Sequence, residues 1–175
     1  ISYAGTIADV TTIKRTEKAL KENEERYRLL VENAPEALVV VDMDTQKFVS
    51  VSNSATELFK MTKEQLFEMG VKEISPEHQP NGRVSVDLAM EKINEAINGS
   101  KPFFEWMHRD SEGVLIPCEV RLIRLTFGNK MLIRGSIHDI SERKKRERLL
   151  RVQFTTAHVL SQSETIEECA TRICN

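Results

Sequence analysis

The fold is decided by residues 135–150, which read GSIHDISERKKRERLL. The residues up to Ile140 read as the end of a strand, and a charged helical pattern follows without an intervening Gly or Pro. Residues 5–20, GTIADVTTIKRTEKAL, repeat the pattern with Gly, Ile, Asp, Lys, Glu and Leu at matching positions. A strand-to-helix junction that recurs at this distance indicates a tandem array of domains joined by helices.

The composition fits one domain of ordinary size. The chain has 175 residues, of which 40% are hydrophobic and 30% charged, enough for a hydrophobic core. Its formal net charge of −2 gives no overall attraction to nucleic acid or to an anionic membrane. The one dense basic cluster, residues 143–148, is interrupted by Glu147. We therefore interpret this cluster as a solvated helix face and expect no nucleic-acid partner.

The cysteines argue against a zinc-binding protein and against a disulfide-rich secreted protein. Cys118, Cys169 and Cys174 are odd in number and lack the C-x-x-C spacing of a zinc site. We expect no metal, no disulfide framework and a reducing, cytoplasmic compartment. No apolar run approaches the roughly 20 residues that span a bilayer. We expect no membrane contact in this segment, which starts at Ile1 as an excised fragment would and leaves open an anchor elsewhere in a longer protein.

A long helix is predicted over residues 11–33, which contain no Gly or Pro. Its apolar stripe repeats every seven residues at Ile13, Leu20 and Tyr27, and Leu30 thickens it near the C-terminal end. The intervening positions are mostly charged. Such a narrow stripe predicts a two-stranded coiled coil that makes the protein a homodimer, or a helix that lies against a neighbouring domain.

The segment between the two helical ends predicts a single antiparallel sheet. Apolar and alternating runs predict strands over residues 37–42, 47–52, 103–109, 114–125 and 130–140. Capping patterns at Ser54 and Thr62 predict two short helices, and an amphipathic run over residues 85–97 predicts a longer one. This order predicts an α+β fold with one sheet and its helices on one side.

In this order the residues resemble a PAS domain of the sensory-box type, from about residue 33 to residue 141. The motifs that carry the resemblance are ENAPEA at residues 32–37, Asn53-x-Ala55 with Leu58-Phe59, Pro76-Glu77, the turn at residues 109–113 and Asp139-Ile140-Ser141-Glu142-Arg143-Lys144. The family usually has Thr where Ser141 stands, which keeps a hydroxyl for capping. The resemblance implies a PAS fold, a five-stranded antiparallel sheet with short helices on one face and signalling helices at both ends.

The resemblance also divides the chain. Residues 1–33 are expected to be the end of a preceding PAS-like unit, with residues 5–11 as its last strand, followed by an amphipathic linker helix. Residues 34–140 are the PAS domain. Residues 141–175 are the exit helix and a segment that is similar to the start of a GAF domain. Because PAS arrays of this kind usually lie upstream of a histidine kinase, we expect such a parent protein, with neighbouring signalling domains in the same chain.

The resemblance leaves the cofactor unknown, and we expect none. Haem-binding PAS domains commonly use a His on the long helix, which residues 85–97 lack, so haem is disfavoured. The histidines lie in a loop, in two strands and in the connector helix: His78, His108, His138 and His158. Photoactive flavin PAS domains use a Cys after the second strand, which is also missing here. Non-covalent FAD beside Trp106 stays open as an alternative.

A ligand cavity between the helices and the sheet is the remaining candidate site. No nucleophile elbow, Gly-rich phosphate loop or metal-spaced cluster occurs, so we expect no enzymatic activity in this fragment. The predicted lining residues are Met61, Leu66, Met69, Met90, Ile93, Phe104, Trp106, Cys118, Val120, Ile133 and Ile137. The same residues would form a filled core, which is the interpretation that we favour.

These observations favour a PAS sensory or relay module of a two-component signalling protein. The last strand continues into the exit helix, so a change at the sheet would alter the rotation or pairing of that helix. Asp139, Ile140 and Ser141 form the predicted hinge, with Asp139 near the positive end of the helix and as a partner for Arg134. The alternatives are a ligand-free dimerisation spacer and a flavin- or haem-based redox or gas sensor.

Overall fold

Five strands form one antiparallel sheet in the computed structural model, which describes residues 4–128 and 130–162. The strands are β1 (Ala37–Asp42), β2 (Phe48–Val51), β3 (Phe103–Arg109), β4 (Leu115–Phe127) and β5 (Lys130–Asp139). The helices are α1 (Ala4–Glu32), α2 (Asn53–Phe59), α3 (Lys63–Phe67), α4 (Ser85–Ile97) and α5 (Ser141–Gln162). The α+β fold predicted from the sequence is confirmed, and the strand bounds agree to within two residues.

The spatial order of the strands is β2-β1-β5-β4-β3, so the first and last strands are hydrogen-bonded neighbours. Ala37 of β1 lies opposite Ile137 of β5, and Asp42 lies opposite Leu132. The chain therefore enters β1 and leaves β5 at the same end of the sheet. The other neighbouring pairs of strands, β1–β2, β3–β4 and β4–β5, are consecutive along the sequence.

One face of the sheet is apolar because side chains alternate along each strand. On β4, Ile116, Cys118 and Val120 are buried, whereas Glu119 and Arg121 lie on the other face. The apolar face is covered by α2 against β1, by α3 against β2 and by α4 against β4 and β5. The core therefore lies between the sheet and these three helices.

The two short helices begin at capping side chains. Gln65 N–H donates to the hydroxyl of Thr62, and Thr62 N–H donates to Oε1 of Gln65 at 2.9 Å, which is the predicted capping box. The cap predicted at Ser54 is wrong, because α2 begins at Asn53 and the side chain of Ser52 accepts from Ala55 N–H at 3.2 Å. Ser52 lies between β2 and α2 and is fully buried, so the cap belongs to the core side of the chain.

The strand predicted over residues 5–11 is wrong, because α1 is helical from Ala4 to Glu32. A strand needs a neighbour for its backbone N–H and C=O groups, and no strand of the described residues pairs at this end. A helix satisfies most of these groups within itself. The C-terminal end of α1 is tied to α3 by an ion pair between Glu32 and Lys63 at 2.7 Å. The GAF-like segment predicted beyond Gln162 lies outside the described residues.

The turn between β3 and β4 is fixed against the C-terminal end of α2. The Asp110 carboxylate accepts from Glu112 N–H and Val114 N–H at 2.9 and 2.8 Å and pairs with Nζ of Lys60 at 3.0 Å. Burial raises the pKa of Asp110, but Lys60 and the two N–H groups outweigh it and hold the pKa below its usual value. The turn at residues 109–113 is therefore held in place by the neighbouring helix.

Candidate functional site

The junction between β5 and α5 contains a single residue, Ile140. Its side chain is only 2% exposed. Its N–H donates to the carbonyl of Pro117 on β4 at 2.9 Å, and its own carbonyl accepts from Lys144 N–H at 2.9 Å. Ile140 is thus bonded to the sheet on one side and to the first turn of α5 on the other. These two hydrogen bonds fix the direction in which α5 leaves the sheet.

Asp139 forms a local turn at the start of α5. Its carboxylate accepts from Ser141 N–H at 2.7 Å, which places a negative charge near the positive end of the helix. The predicted pair between Asp139 and Arg134 is wrong: the two residues are five positions apart on one strand, so their side chains lie on opposite faces. Nε of Arg134 is buried without a hydrogen-bond partner among the described residues.

The first turn of α5 is also held on the sheet by ion pairs. Arg143 contacts Glu119 of β4 at 2.7 Å and Glu105 of β3 at 3.4 Å, and Lys144 contacts Glu105 at 2.7 Å. These two cations belong to the cluster that we interpreted as a solvated face, so that interpretation is wrong for this part of it. No local sequence signal identifies the pairs, because both glutamates lie on distant strands. Pairs this exposed contribute little stability, but together they orient the helix.

A cavity of about 50 Å³ lies between the apolar face of the sheet and α4. The predicted residues that line it are Ile93, Phe104, Trp106, Val120, Ile133 and Ile137. Leu66 and Cys118 are fully buried in the core, and Met61 packs against its edge, but none of the three lines the cavity. Ligand pockets commonly measure about 300–1,000 Å³, so this cavity is small by comparison. Side chains therefore fill most of the space in which the sequence predicted a ligand cavity.

A second, larger cavity of about 290 Å³ lies beside the first, and we call the first the inner cavity and the second the outer cavity. It is lined by the β1–β2 turn, by residues 68–73 and by α4, and it contains Met69 and Met90, which the sequence placed in the inner cavity. The residues that line both cavities are Val41, Val71, Ala89 and Ile93. These four side chains therefore stand between the inner cavity and the outer one.

His108 lines the inner cavity and was not predicted there. It is 3% exposed, its Nδ1 lies 3.1 Å from the carbonyl oxygen of Ile74, and its ring lies edge-on to Phe59. Burial lowers the pKa of His108 to about 4 despite the bond to Ile74, so the imidazole is neutral at pH 7. A signal was available, because His108 lies two and four positions after Trp106 and Phe104 and so shares their face of β3.

The described part of the chain shows no reactive group or metal cluster in this region. The Cys118 thiol is fully buried and donates to Ile116 C=O at 3.5 Å. Burial, with a smaller effect of the Asp139 charge, raises its pKa to about 12, so the thiolate nucleophile does not form at neutral pH. Residues 4–128 and 130–162 contain no group of His, Cys, Asp and Glu that could hold a metal ion. No helix of that same part combines the length and apolarity needed to cross a membrane.

The sheet, the helices on its inner face and the strand that continues into α5 define one α+β module. The family model described as "PAS domain" matches residues 35–142, and the chain belongs to this family. The resemblance noted in the sequence is therefore confirmed. The family is one of sensory domains that are typical of signalling proteins.

Two kinds of relative were found. The methyl sulfide methyltransferase-associated sensor of Methanosarcina acetivorans is 32% identical over 129 residues, which cover 74% of this chain and 12% of that protein. This chain thus spans only a small part of the curated relative's length. A solved PAS domain from a two-component sensor histidine kinase is 21% identical, with a TM-score of 0.55 over 68% of this chain and 98% of that one. The PAS domain of an HTR-like protein from Haloarcula marismortui is 21% identical, with a TM-score of 0.57 over 73% of this chain and 99% of that one.

Proposed function

We propose that this chain is a sensory or relay module of a two-component sensor histidine kinase and passes a conformational change from its sheet to α5. The observation that carries the proposal is Ile140, a buried single-residue junction bonded both to Pro117 of β4 and to the first turn of α5. A shift of β4 would displace the start of the helix, because no flexible segment absorbs it. The solved relative from a sensor histidine kinase supports the setting.

Removing the ion pairs at the junction should loosen α5 without unfolding the domain. We expect the amides of the first turns of α5 to exchange hydrogen roughly 2- to 5-fold faster in an Arg143→Ala variant, the effect of losing weak, exposed ion pairs. Hydrogen exchange followed by mass spectrometry measures this. Arg148→Ala is the matched control, since Arg148 lies on the same helix and forms no ion pair within the described residues. Equal exchange in both variants would contradict a role for the pairs with Glu105 and Glu119.

The signalling role itself is tested in a chimera in which residues 34–162 replace the PAS domain directly before the kinase of a PAS-regulated histidine kinase. Asp139→Ala removes the turn to Ser141, which stabilises by about 1 kcal/mol as helix-capping contacts do. We expect altered autophosphorylation while the domain stays folded by circular dichroism. Autophosphorylation identical to that of the parent chimera would remove the junction from the signalling path.

A dimerisation spacer is the second candidate function, and exposed apolar side chains on both long helices favour it. Tyr27 and Leu30 of α1 are 62% and 68% exposed, and Leu150 and Phe154 of α5 are 64% and 75% exposed. The predicted contacts at Ile13 and Leu20 lie outside the side chains that the structure describes. Pairing with a second copy as a coiled coil would bury such residues. A homodimer formed in this way is compatible with the relay.

The dimer prediction concerns the stripe on α1. We expect a Tyr27→Glu, Leu30→Glu double variant to raise the dimer dissociation constant at least about 10-fold, since charges replace apolar residues at the contact. Sedimentation equilibrium measures this constant. Lys21→Glu changes charge at an exposed position outside the stripe and should leave the constant within about 2-fold. A monomer at all concentrations in the unmodified chain would contradict the spacer.

The relay is proposed to work without FAD or haem. The inner cavity of about 50 Å³ supports this, because a bound cofactor would require a far larger opening between α4 and the sheet. A visible absorption spectrum of the purified protein is the measurement. A flavin or haem band at stoichiometric intensity would establish the redox or gas sensor instead.

A further inference from the structure

His108 lines the inner cavity and has an unused hydrogen-bond acceptor. Its Nδ1 lies 3.1 Å from the Ile74 carbonyl oxygen, and because a carbonyl only accepts, the proton of the neutral ring is on Nδ1. Nε2 then carries no proton, and its lone pair can accept a hydrogen bond. Nε2 is buried, and no described residue offers it a donor. Since buried polar atoms in native proteins are nearly always hydrogen-bonded, this atom needs a partner that the described residues do not supply.

The rest of the lining rules out an ordinary water as a satisfactory partner. The other lining residues are apolar, apart from the indole N–H of Trp106, which already donates to Ser75 Oγ at 3.1 Å. A buried water needs two to four polar partners. Here it would donate once to Nε2 and leave its other hydrogen-bonding capacity unused. The cavity therefore suits a molecule with one donor and an apolar remainder.

The volume limits the size of this molecule. The cavity measures about 50 Å³, and one water-sized sphere needs at least about 10–15 Å³ of such volume. This leaves room for roughly three to five non-hydrogen atoms. The lining carries no Asp, Glu, Lys or Arg to pair with a charged ligand. The four side chains shared with the outer cavity, among them Val71 and Ala89, provide a short route inward.

We propose that the cavity beside His108 binds a small neutral molecule with one O–H, N–H or S–H donor, of the size of a short alcohol or thiol. The donor bonds to Nε2, and the apolar part packs between α4 and the sheet against Ile93 and Ile133. This site deepens the proposed function, because a ligand held there contacts β4 at Val120, the strand that also anchors Ile140.

Ethanol and dimethyl ether are matched probes, since they are isomers and only ethanol has a donor. Nitrogen NMR of the full chain at pH 7 follows Nε2 of His108, and the methyl signals of Ile133 and Ile137 report binding independently. We expect ethanol to shift the Nε2 signal upfield to saturation and dimethyl ether to bind about 3- to 10-fold more weakly, the effect of one lost hydrogen bond. Equal affinities, or an Nε2 that carries a proton in the free protein, would overturn the proposal.

His108→Phe supplies the control, because it keeps a ring beside Phe59 and has no hydrogen-bond acceptor in place of Nε2. In this variant ethanol should bind no better than dimethyl ether. A preference for ethanol that survives in His108→Phe overturns the proposal, as does the absence of any saturable methyl shift in the unmodified chain. The amide signals of residues 139–144 distinguish the relay from the ligand site. Saturable ethanol binding that leaves these signals unchanged supports the site and contradicts the relay. If the protein does not bind ethanol but the junction variants still alter α5, the relay is supported and the site is overturned.

Discussion

Lowering the pH from about 6.5 to about 4 should reduce the free energy of unfolding by about 3 kcal/mol through His108 alone. The pKa of this buried imidazole is lowered from 6.5 to about 4 in the folded protein, so between these values the unfolded state binds a proton that the folded state does not. The contribution is therefore fully present above pH 6.5 and is lost as the pH falls towards 4. Urea unfolding at a series of pH values measures it.

The control for this prediction is His108→Phe, which keeps a ring beside Phe59 and cannot titrate. The other groups around the imidazole, Phe59, Ile74 and the lining of the cavity, are uncharged, so the difference between the two pH profiles isolates His108. We expect the unmodified chain to lose about 3 kcal/mol more than the variant over this range. Parallel profiles would show that the imidazole is solvated or charged in the folded protein.

Replacing Phe59 by Ala should destabilise the domain by about 3–5 kcal/mol, the usual cost of removing a fully buried aromatic side chain. Phe59 has no exposed surface, and its ring meets His108 edge to face at a centroid distance of 5.4 Å. The substitution removes this contact and enlarges the space beside the imidazole. Urea unfolding monitored by circular dichroism gives the change in the free energy of unfolding.

Phe67→Ala is the control for Phe59→Ala, because Phe67 is also a phenylalanine but is less buried. It lies on α3 with 37% of its surface exposed, so Phe67→Ala should cost no more than about 1 kcal/mol. The comparison separates the loss of core packing from the general effect of shortening an aromatic residue. Similar losses in the two variants would mean that Phe59 does not hold α2 against the sheet.

Where burial imposes a strict period, the sequence was sufficient to predict the fold. The alternation of Ile116, Cys118 and Val120 identified the inner face of β4, and the apolar stripe of residues 85–97 identified α4 with the bounds that the structure gives. The prediction failed over residues 5–11, which repeat the sequence pattern of the junction at residues 135–141 but lie in a helix. A strand pattern specifies a strand only when a neighbouring strand completes its hydrogen bonds.

The candidate sites were less predictable because they depend on contacts between distant segments. Nothing local to Arg143 indicates Glu119 as its partner, since the contact exists only after β4 and β5 have paired. His108 differs, since its position on β3 relative to Trp106 placed it inward. The predicted lining did not include it, because the expectation for a functional histidine concerned the long helix at residues 85–97. The neutral state of its ring follows from burial, which no local pattern reveals.

The adjacency of Ala37 and Ile137 has a consequence for how longer arrays are assembled. Because β1 begins and β5 finishes at the same end of the sheet, a duplicated domain can be inserted between two helices without displacing the domains on either side. The number of residues in the connecting helix then determines how far the next domain is rotated about the helix axis. Each inserted or deleted residue turns it by about 100°, the rotation of one α-helical step.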